Sequence, residues 1–368
     1  MLHHADQRSI AAASHLTSPE AHPRLAVRPP SSLDGELSEA PREKGGPRIL
    51  FITATRIGDV VLSSGLVRSL LAQQAEARLT IAGGHKAIGL FADTPGLERL
   101  IPLVKQRRGG HWFDLWRQTR STRWDQIVDL RGSLSSYALR TPRRRVLNRD
   151  RHGASEHKVI QNARLLAAEH LPPAPGLWTS EATERRAAAF LNQSGHVLAL
   201  APAANWLGKT WPAERFAQLA KTLTAPLGAL PGARVLLLGG EEDKAAAHVV
   251  ARTLPPGQCI LALGEPDLLT TYAMLKHVDL FVGNDSGMMH LAAADGAPTL
   301  GLFGPTDDRL YAPWGKHCAV VRGPEAFEDF KARDPELNQP IPHMESLAVE
   351  AVLEAAEQLL TRSREVTS

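Results

Sequence analysis

Residues 280–307 read LFVGNDSGMMHLAAADGAPTLGLFGPTD, and the reading of this stretch decides the fold. Leu280, Phe281 and Val282 form a short apolar run ended by Gly283, which suits a buried strand. The polar turn Asn284-Asp285-Ser286-Gly287 follows, and residues 288–294 then read as a helix closed by Gly296. A second apolar run, 298–303, is broken by Gly304-Pro305-Thr306-Asp307. The order is strand, tight turn, helix, strand, turn. The polar turn sits where a helix start leaves free backbone N–H groups and a partial positive charge, a natural place for phosphate. Asp285 or Ser286 could instead simply cap the helix. The two roles can coexist, because a cap faces the same mouth as a ligand.

Upstream, a second-half series of alternating elements begins at 196–201 (strand). It continues through 212–223 (helix), 234–238 (strand), 242–254 (helix), 259–261 (strand) and 268–276 (helix). Beyond the quoted stretch come a short strand at 319–321 and a helix at 346–361. An earlier series starts at 48–52 (strand), followed by the turn 53–59 and a helix at 60–75. Strands at 78–82, 99–102 and 126–130 alternate with helices at 86–92, 112–120 and 155–169. Such alternation implies parallel sheets with helices on both faces.

Residues 171–176, with three prolines, form the best linker, and 181–192 a connecting helix. The expected organisation is an extension over 1–46, a first α/β domain over 47–170, a connection over 171–195, a second α/β domain over 196–345, and a helix and tail over 346–368. The extension, rich in Ala, Ser, Pro, Glu and Arg without a sustained period, is expected to be disordered. Two doubly wound, Rossmann-like halves meeting across a cleft would bind ligands outside the carboxyl ends of their strands.

The chain's 368 residues are enough for two domains, and 43% hydrophobic with 22% charged residues describes a soluble globular protein. No apolar run approaches the length of a membrane-spanning helix, and no signal-peptide core is evident, so export is not expected. Cys259 and Cys318 give neither a disulfide framework nor a metal cluster and fit a reducing cytoplasm. The net charge of +3 is unevenly placed: from Arg140 to Lys158, seven Lys and Arg oppose only Asp150 and Glu156. Nucleic acid, anionic lipid headgroups, an acidic substrate or a solvated loop could each account for that run.

Three turns at strand ends can carry chemistry. In the first, 53–59, Asp59 could cap a helix, or could accept a proton from a hydroxyl nucleophile. No G-x-G-x-x-G fingerprint follows this strand. In the second, 201–212, Lys209 precedes a helix that Pro212 can open. A lysine there could stabilise charge on a departing phosphate, or could be an ordinary surface residue. Trp206 and Trp211 could pack or stack. The third is the quoted stretch. Together these turns would surround a diphosphate and oppose it with a carboxylate, the toolkit of group transfer from a nucleotide-activated donor.

At these residues the sequence resembles a known family. VGNDSGMMHLAAA at 282–294 with LFGPTD at 302–307 is similar to the signature of the family 9 glycosyltransferases, the ADP-heptose:lipopolysaccharide heptosyltransferases and their relatives. IGDVV at 57–61 and KTWPAERF at 209–216 resemble two further motifs of that family in the right order. The resemblance implies the GT-B fold, two Rossmann-like domains facing a central cleft, with the last helix returning toward the first domain. It implies inverting sugar transfer without metal or other cofactor.

By the same resemblance, Asp59 corresponds to the base for the acceptor hydroxyl and Lys209 to the lysine that holds the donor phosphates. Asp285 contacts the donor sugar, while Ser286, Gly287 and Met288 line the diphosphate and nucleotide. His290 matches a motif histidine, or is a helix residue bonded to a neighbouring loop. Glu241 or Glu242 is placed to meet the nucleotide ribose. The implied donor is ADP-L-glycero-D-manno-heptose, and the implied acceptor a lipopolysaccharide core or lipid A-linked glycan. Arg107, Arg108, Arg131, Arg143, Arg144 and Arg145 would draw its carboxylates and phosphates, and the anionic cytoplasmic face of the inner membrane.

The sequence departs from the family at Pro202-Ala203-Ala204, Gly65 and His343-Met344, where relatives often have Pro-Gly-Ala, proline and Cys-Met. None of these removes a chemical position. The alternatives are a family 9 enzyme with another nucleotide sugar, or a non-catalytic protein docking nucleic acid through its arginines.

Overall fold

The computed structural model describes residues 45–147, 155–191, 195–337 and 339–367. The expected extension over 1–46 lies outside the described residues up to Lys44, as do Arg149, Asp150 and Arg151 of the basic run. Strands β1 (Arg48–Ile52), β2 (Arg78–Gly84), β3 (Leu97–Leu103), β4 (Gln126–Asp129) and β5 (Arg143–Val146) form one sheet in the order β3-β2-β1-β4-β5. Helices α1 (Ile57–Gln73), α2 (Gly110–Thr119), α3 (Leu134–Tyr137) and α4 (Lys158–Ala163) accompany it.

After α5 (Glu181–Leu191), the second half contributes β6 (Val197–Ala201), β7 (Arg234–Gly239), β8 (Cys259–Leu263), β9 (Leu280–Asn284), β10 (Thr299–Phe303) and β11 (Cys318–Arg322). Their order is β11-β10-β9-β6-β7-β8. The accompanying helices are α6 (Ala213–Thr224), α7 (Lys244–Ala251), α8 (Leu268–Leu275), α9 (Gly287–Ala293), α10 (Asp308–Tyr311), α11 (Phe327–Arg333) and α12 (Val349–Thr367). Every strand pairing is parallel. In each sheet the winding reverses at the first strand, between β1 and β4 and between β6 and β9, and such switch points open a crevice at the carboxyl ends.

The strands read as continuous apolar runs because both faces are covered. In β1, Ile49 and Phe51 join a cluster with Val60, Leu66 and Val67 of α1, while Leu50 and Ile52 face Leu115, Trp124 and Leu139. In β6, Ala199 joins the same cluster as Ile49, together with Tyr272 of α8 and Met289 of α9. A single apolar core therefore runs from one sheet to the other through α1, α8 and α9. The linker adds polar ties: the Gly176 N–H donates to Ser64 Oγ (2.9 Å), and the Leu177 N–H to Tyr272 Oη (3.2 Å).

Some expectations are corrected. The last helix, α12, does not return to the first half; Val352, Ala356, Leu359 and Leu360 pack into the second half's outer core with Trp211 and Phe216. The helix expected over 155–169 shortens to α4 and a 3-10 turn, Arg164–Leu166, that ends at Ala167 in the left-handed region (φ 54°). Strand β5 was not foreseen. As an edge strand of sequence RRRV it alternates exposed and half-buried positions and carries no apolar run.

Gly65, in the middle of α1, packs directly under the linker. A Cβ there would stand 2.3 Å from the carbonyl oxygen of Pro173 in the linker. Helix propensity alone would favour Gly65→Ala by about 1 kcal/mol, whereas overpacking costs roughly 1–3 kcal/mol. We expect packing to win and the melting temperature to fall; a rise would show that the linker can move aside without loss.

Candidate active site

Asp59 lies in the first turn of α1, straight after β1 at the first sheet's switch point. The helix N-cap position is Arg56, which makes no side-chain capping bond, so Asp59 is not the cap that the local pattern allowed. Its half-buried carboxyl is pushed above the usual carboxylate range by burial. Arg56, Lys158 and Arg131 oppose that rise, and Asp285 of the other half adds to it. The two aspartates, far apart in sequence, are within electrostatic reach of each other.

Opposite stands the second sheet's switch point. Lys209, from the β6–α6 loop, places Nζ 3.3 Å from Asp285 Oδ2 at the end of β9, and both side chains are largely shielded from solvent. Asn284, wholly buried beside Asp285, holds the two loops in register. Its Oδ1 accepts the Trp211 N–H (2.9 Å) and its Nδ2 donates to the Ala201 carbonyl (3.5 Å). Sequence reading passed over Asn284, although a buried amide in a strand end is itself a signal of backbone stapling.

The tryptophans pack. Trp211 is wholly buried against Phe216, with Nε1 donating to the Leu347 carbonyl (2.9 Å). Trp206 donates from Nε1 to the Gln339 carbonyl (2.7 Å), meets the edge of His343, and accepts at its own carbonyl from the Lys209 N–H (3.2 Å). The substituted His343 is therefore part of the wall behind the lysine loop, 3.8 Å from Asp334.

At the start of α9, Ser286 occupies the N-cap position without a side-chain capping bond, and Asp285 is engaged by Lys209 instead. Ser286 Oγ is buried and has no hydrogen-bond partner among the described atoms; neither has Thr306 Oγ1, in the turn after β10. Gly287 and Met288 are half-buried in the same first turn. His290, one turn on, packs against α1 so closely that a Cβ at Gly58 would stand 2.7 Å from its Cδ2. Burial lowers its pKa to about 4, with His157 and Lys209 reinforcing and Asp285 opposing. The ring is neutral at physiological pH and makes an uncharged wall at the interface rather than a cation for phosphate.

Glu241 and Glu242 are exposed beyond the carboxyl end of β7, next to β6, and Glu241 pairs with Lys244. Around Asp59, the first half supplies Arg131, after β4, and Lys158, at the start of α4. Lys158 also lies over the ring of Tyr311 (5.8 Å), from α10 of the other half. Only its place in the basic run marked Lys158 beforehand. Arg107 and Arg108 are exposed after edge strand β3, two strands from β1, and Arg143 is exposed on edge strand β5. Arg144 donates to the Ser136 and Leu139 carbonyls (3.0 and 2.8 Å), and Arg145 to that of Leu165 (2.9 Å). These two fasten the edge of the first sheet.

The arrangement opposes a half-buried carboxylate of raised pKa to a shielded lysine across an apolar interface. Comparison with known proteins places the fold in a family. The glycosyltransferase family 9 (heptosyltransferase) profile matches residues 112–339. The lipopolysaccharide heptosyltransferase 2 of Salmonella typhimurium is 25% identical over 313 residues, covering 75% of this chain and 88% of that protein. A family 9 glycosyl transferase from Veillonella parvula shares the fold with a TM-score of 0.69 at 20% identity, covering 86% of this chain and 97% of its own. The ADP-heptose lipopolysaccharide heptosyltransferase II of Escherichia coli does so with a TM-score of 0.67 at 23% identity, covering 86% and 99%. With two parallel Rossmann-like sheets facing each other in a GT-B fold, and with the family's profile spanning more than half its length, the chain belongs to glycosyltransferase family 9.

Proposed function

We propose that the chain transfers a heptose from ADP-L-glycero-D-manno-heptose to a lipopolysaccharide core acceptor, with inversion at the anomeric carbon and without a metal. The observation that carries this reading is Asp59 set across the interface from the Lys209–Asp285 pair. The ADP-heptose and lipopolysaccharide in the names of the similar proteins support the donor and acceptor.

In this reading Asp59 takes the proton of the acceptor hydroxyl as its oxygen attacks the anomeric carbon. The bond from that carbon to the diphosphate breaks on the opposite face, which inverts the centre. ADP departs with new negative charge, which Lys209 offsets. A raised pKa suits the base, because it brings the carboxyl closer to the operating pH. Asp285 orients Lys209 and meets the sugar. Ser286 Oγ and the first turn of α9, through Gly287 and Met288, meet the diphosphate, and Glu241 or Glu242 the ribose. The neutral ring of His290 shapes the wall.

Arg131 and Lys158 flank Asp59 and would receive the acceptor's anionic groups, with Arg107, Arg108 and Arg143 farther out. Arg144 and Arg145, tied to carbonyls, contribute to this surface by position. We place the enzyme in the cytoplasm, peripheral to the inner membrane. Among the described residues no helix is long and apolar enough to cross a membrane.

Asp59→Asn should lower kcat by roughly 10²–10⁴-fold while leaving donor affinity nearly intact. Equal loss of donor binding would remove the base role. Because the deprotonated carboxylate is the active form, kcat/KM should fall as pH drops through a value above the usual aspartate range. Lys158→Ala takes away a cation that opposes the rise, so this acidic limb should move to higher pH. A limb that stays in place would sink the electrostatic link. Lys209→Ala should cost about 10²–10³-fold in kcat/KM and weaken stabilisation by ADP in thermal shift. A larger shift with UDP, GDP or CDP than with ADP would overturn the donor.

A further inference from the structure

We infer that the first half carries a membrane-docking face, an apolar prow ringed by arginine on α2, α3 and the loop after β3, and that its partner is the surface of an anionic lipid bilayer. The placement of exposed apolar side chains carries this. Of eight large hydrophobic residues exposed among those described, four fall within this one segment: Val104 (52%), Phe113 (61%), Leu134 (86%) and Tyr137 (59%). Helices α2 and α3 pack on each other, and α2 packs on β3, so these residues belong to one surface region. The Phe113 ring lies 5.6 Å from that of half-buried Trp116, which in turn carries the Arg120 guanidinium 5.3 Å from its centre. Clustered exposed apolar side chains on a soluble fold mark an interaction site.

Charge identifies the partner. Residues 105–145 hold eleven Lys and Arg against three Asp and no Glu, a net charge of +8 in a chain whose total is +3. The three aspartates are occupied: Asp129 is wholly buried, Asp125 accepts the Arg48 N–H (2.8 Å), and Asp114 pairs with Arg117 (3.7 Å). The outward charge is thus predominantly positive, with Asp125 its one exposed carboxylate. A net charge of +8 around exposed apolar tips favours an anionic partner surface. Aromatic rings at headgroup level, apolar tips below and Lys or Arg on anionic lipid are the composition of a bilayer-surface contact.

Position agrees. The loops after β3 and β4 leave the same carboxyl edge of the sheet as Asp59 does after β1. A lipid-linked acceptor that presents its sugar to Asp59 leaves its acyl chains beside this rim. That last point rests on the proposed acceptor, whereas the surface chemistry does not.

The test is co-sedimentation of the full chain with vesicles of phosphatidylcholine alone and of phosphatidylcholine mixed equally with phosphatidylglycerol, for wild type and the Phe113→Ser/Leu134→Ser double variant. Both positions are exposed, so the melting temperature should hold. The wild type should bind the anionic vesicles selectively, and the double variant should bind them at least about tenfold more weakly. Turnover on a deacylated, water-soluble acceptor should be unchanged, while turnover on vesicle-embedded acceptor falls. Vesicle binding reads the inference even if no heptose is transferred, so a failure of the proposed reaction is distinguishable from a failure of the docking face. Equal binding to neutral and anionic vesicles, or a double variant that binds like wild type, would overturn it. So would RNA binding that is as strong in the double variant and displaces the vesicles.

Discussion

The structure depends on how closely two helix starts approach. At the head of α1, Gly58 lies against the ring of His290; at the head of α9, a Cβ on Gly287 would stand 2.8 Å from Cβ of Ile57. Each glycine is small because the other helix is there. This contact sets Asp59 opposite Asp285 and Lys209, and it lies within an apolar core shared by both sheets. A polar or hydrated boundary would let the halves slide. A continuous apolar one fixes their relative position, because any shear exposes surface at about 25 cal/mol per Å².

Charge is managed within that frame by pairing and by neutrality. Lys209 and Asp285 satisfy each other, and a shielded ionic pair broken on one side typically costs about 3–5 kcal/mol. Asp285 thus holds the lysine in its orientation at the mouth of the crevice. His290, squeezed between the helices, avoids the same cost by staying uncharged. Asp59 is the intermediate case: burial raises its pKa, and three cations of its own half hold that rise in check. Two carboxylates and two lysines in one crevice therefore meet different surroundings: one pair satisfied internally, Asp59 and Lys158 left half-buried.

The fold was legible because buried parallel strands are written as unbroken apolar runs between glycine-rich turns, and the quoted β9–α9–β10 stretch is of this kind. Strand β5 was not, since an edge strand built of three arginines has no such signature. In the site, Asp59, Lys209 and Asp285 were visible as polar residues in turns at strand ends. Lys158 and Tyr311 were not, because each lies on a short helix whose approach to Asp59 is made by tertiary packing. The alternatives of capping or ligand binding at Asp285 also needed coordinates: the pattern of a capping turn is present, but the carboxylate faces Lys209.

The second point at which the halves meet is polar, and its chemistry can be worked out from hydrogen bonds. His157, just before α4, has Nδ1 3.2 Å from the Val159 N–H and Nε2 2.9 Å from the carbonyl oxygen of Ala312 in the other half. An amide N–H can only donate and a carbonyl can only accept, so the ring carries its single proton on Nε2. A second proton would occupy Nδ1 and end the cap on α4 while leaving the bond to Ala312. Burial lowers the pKa of this histidine, Lys158 lowers it further, and the bond to Ala312 opposes them, so the neutral form persists below the usual range. The hold on the second half is thus retained in both protonation states. What depends on the neutral ring is the start of α4, and with it the placement of Lys158 beside Asp59.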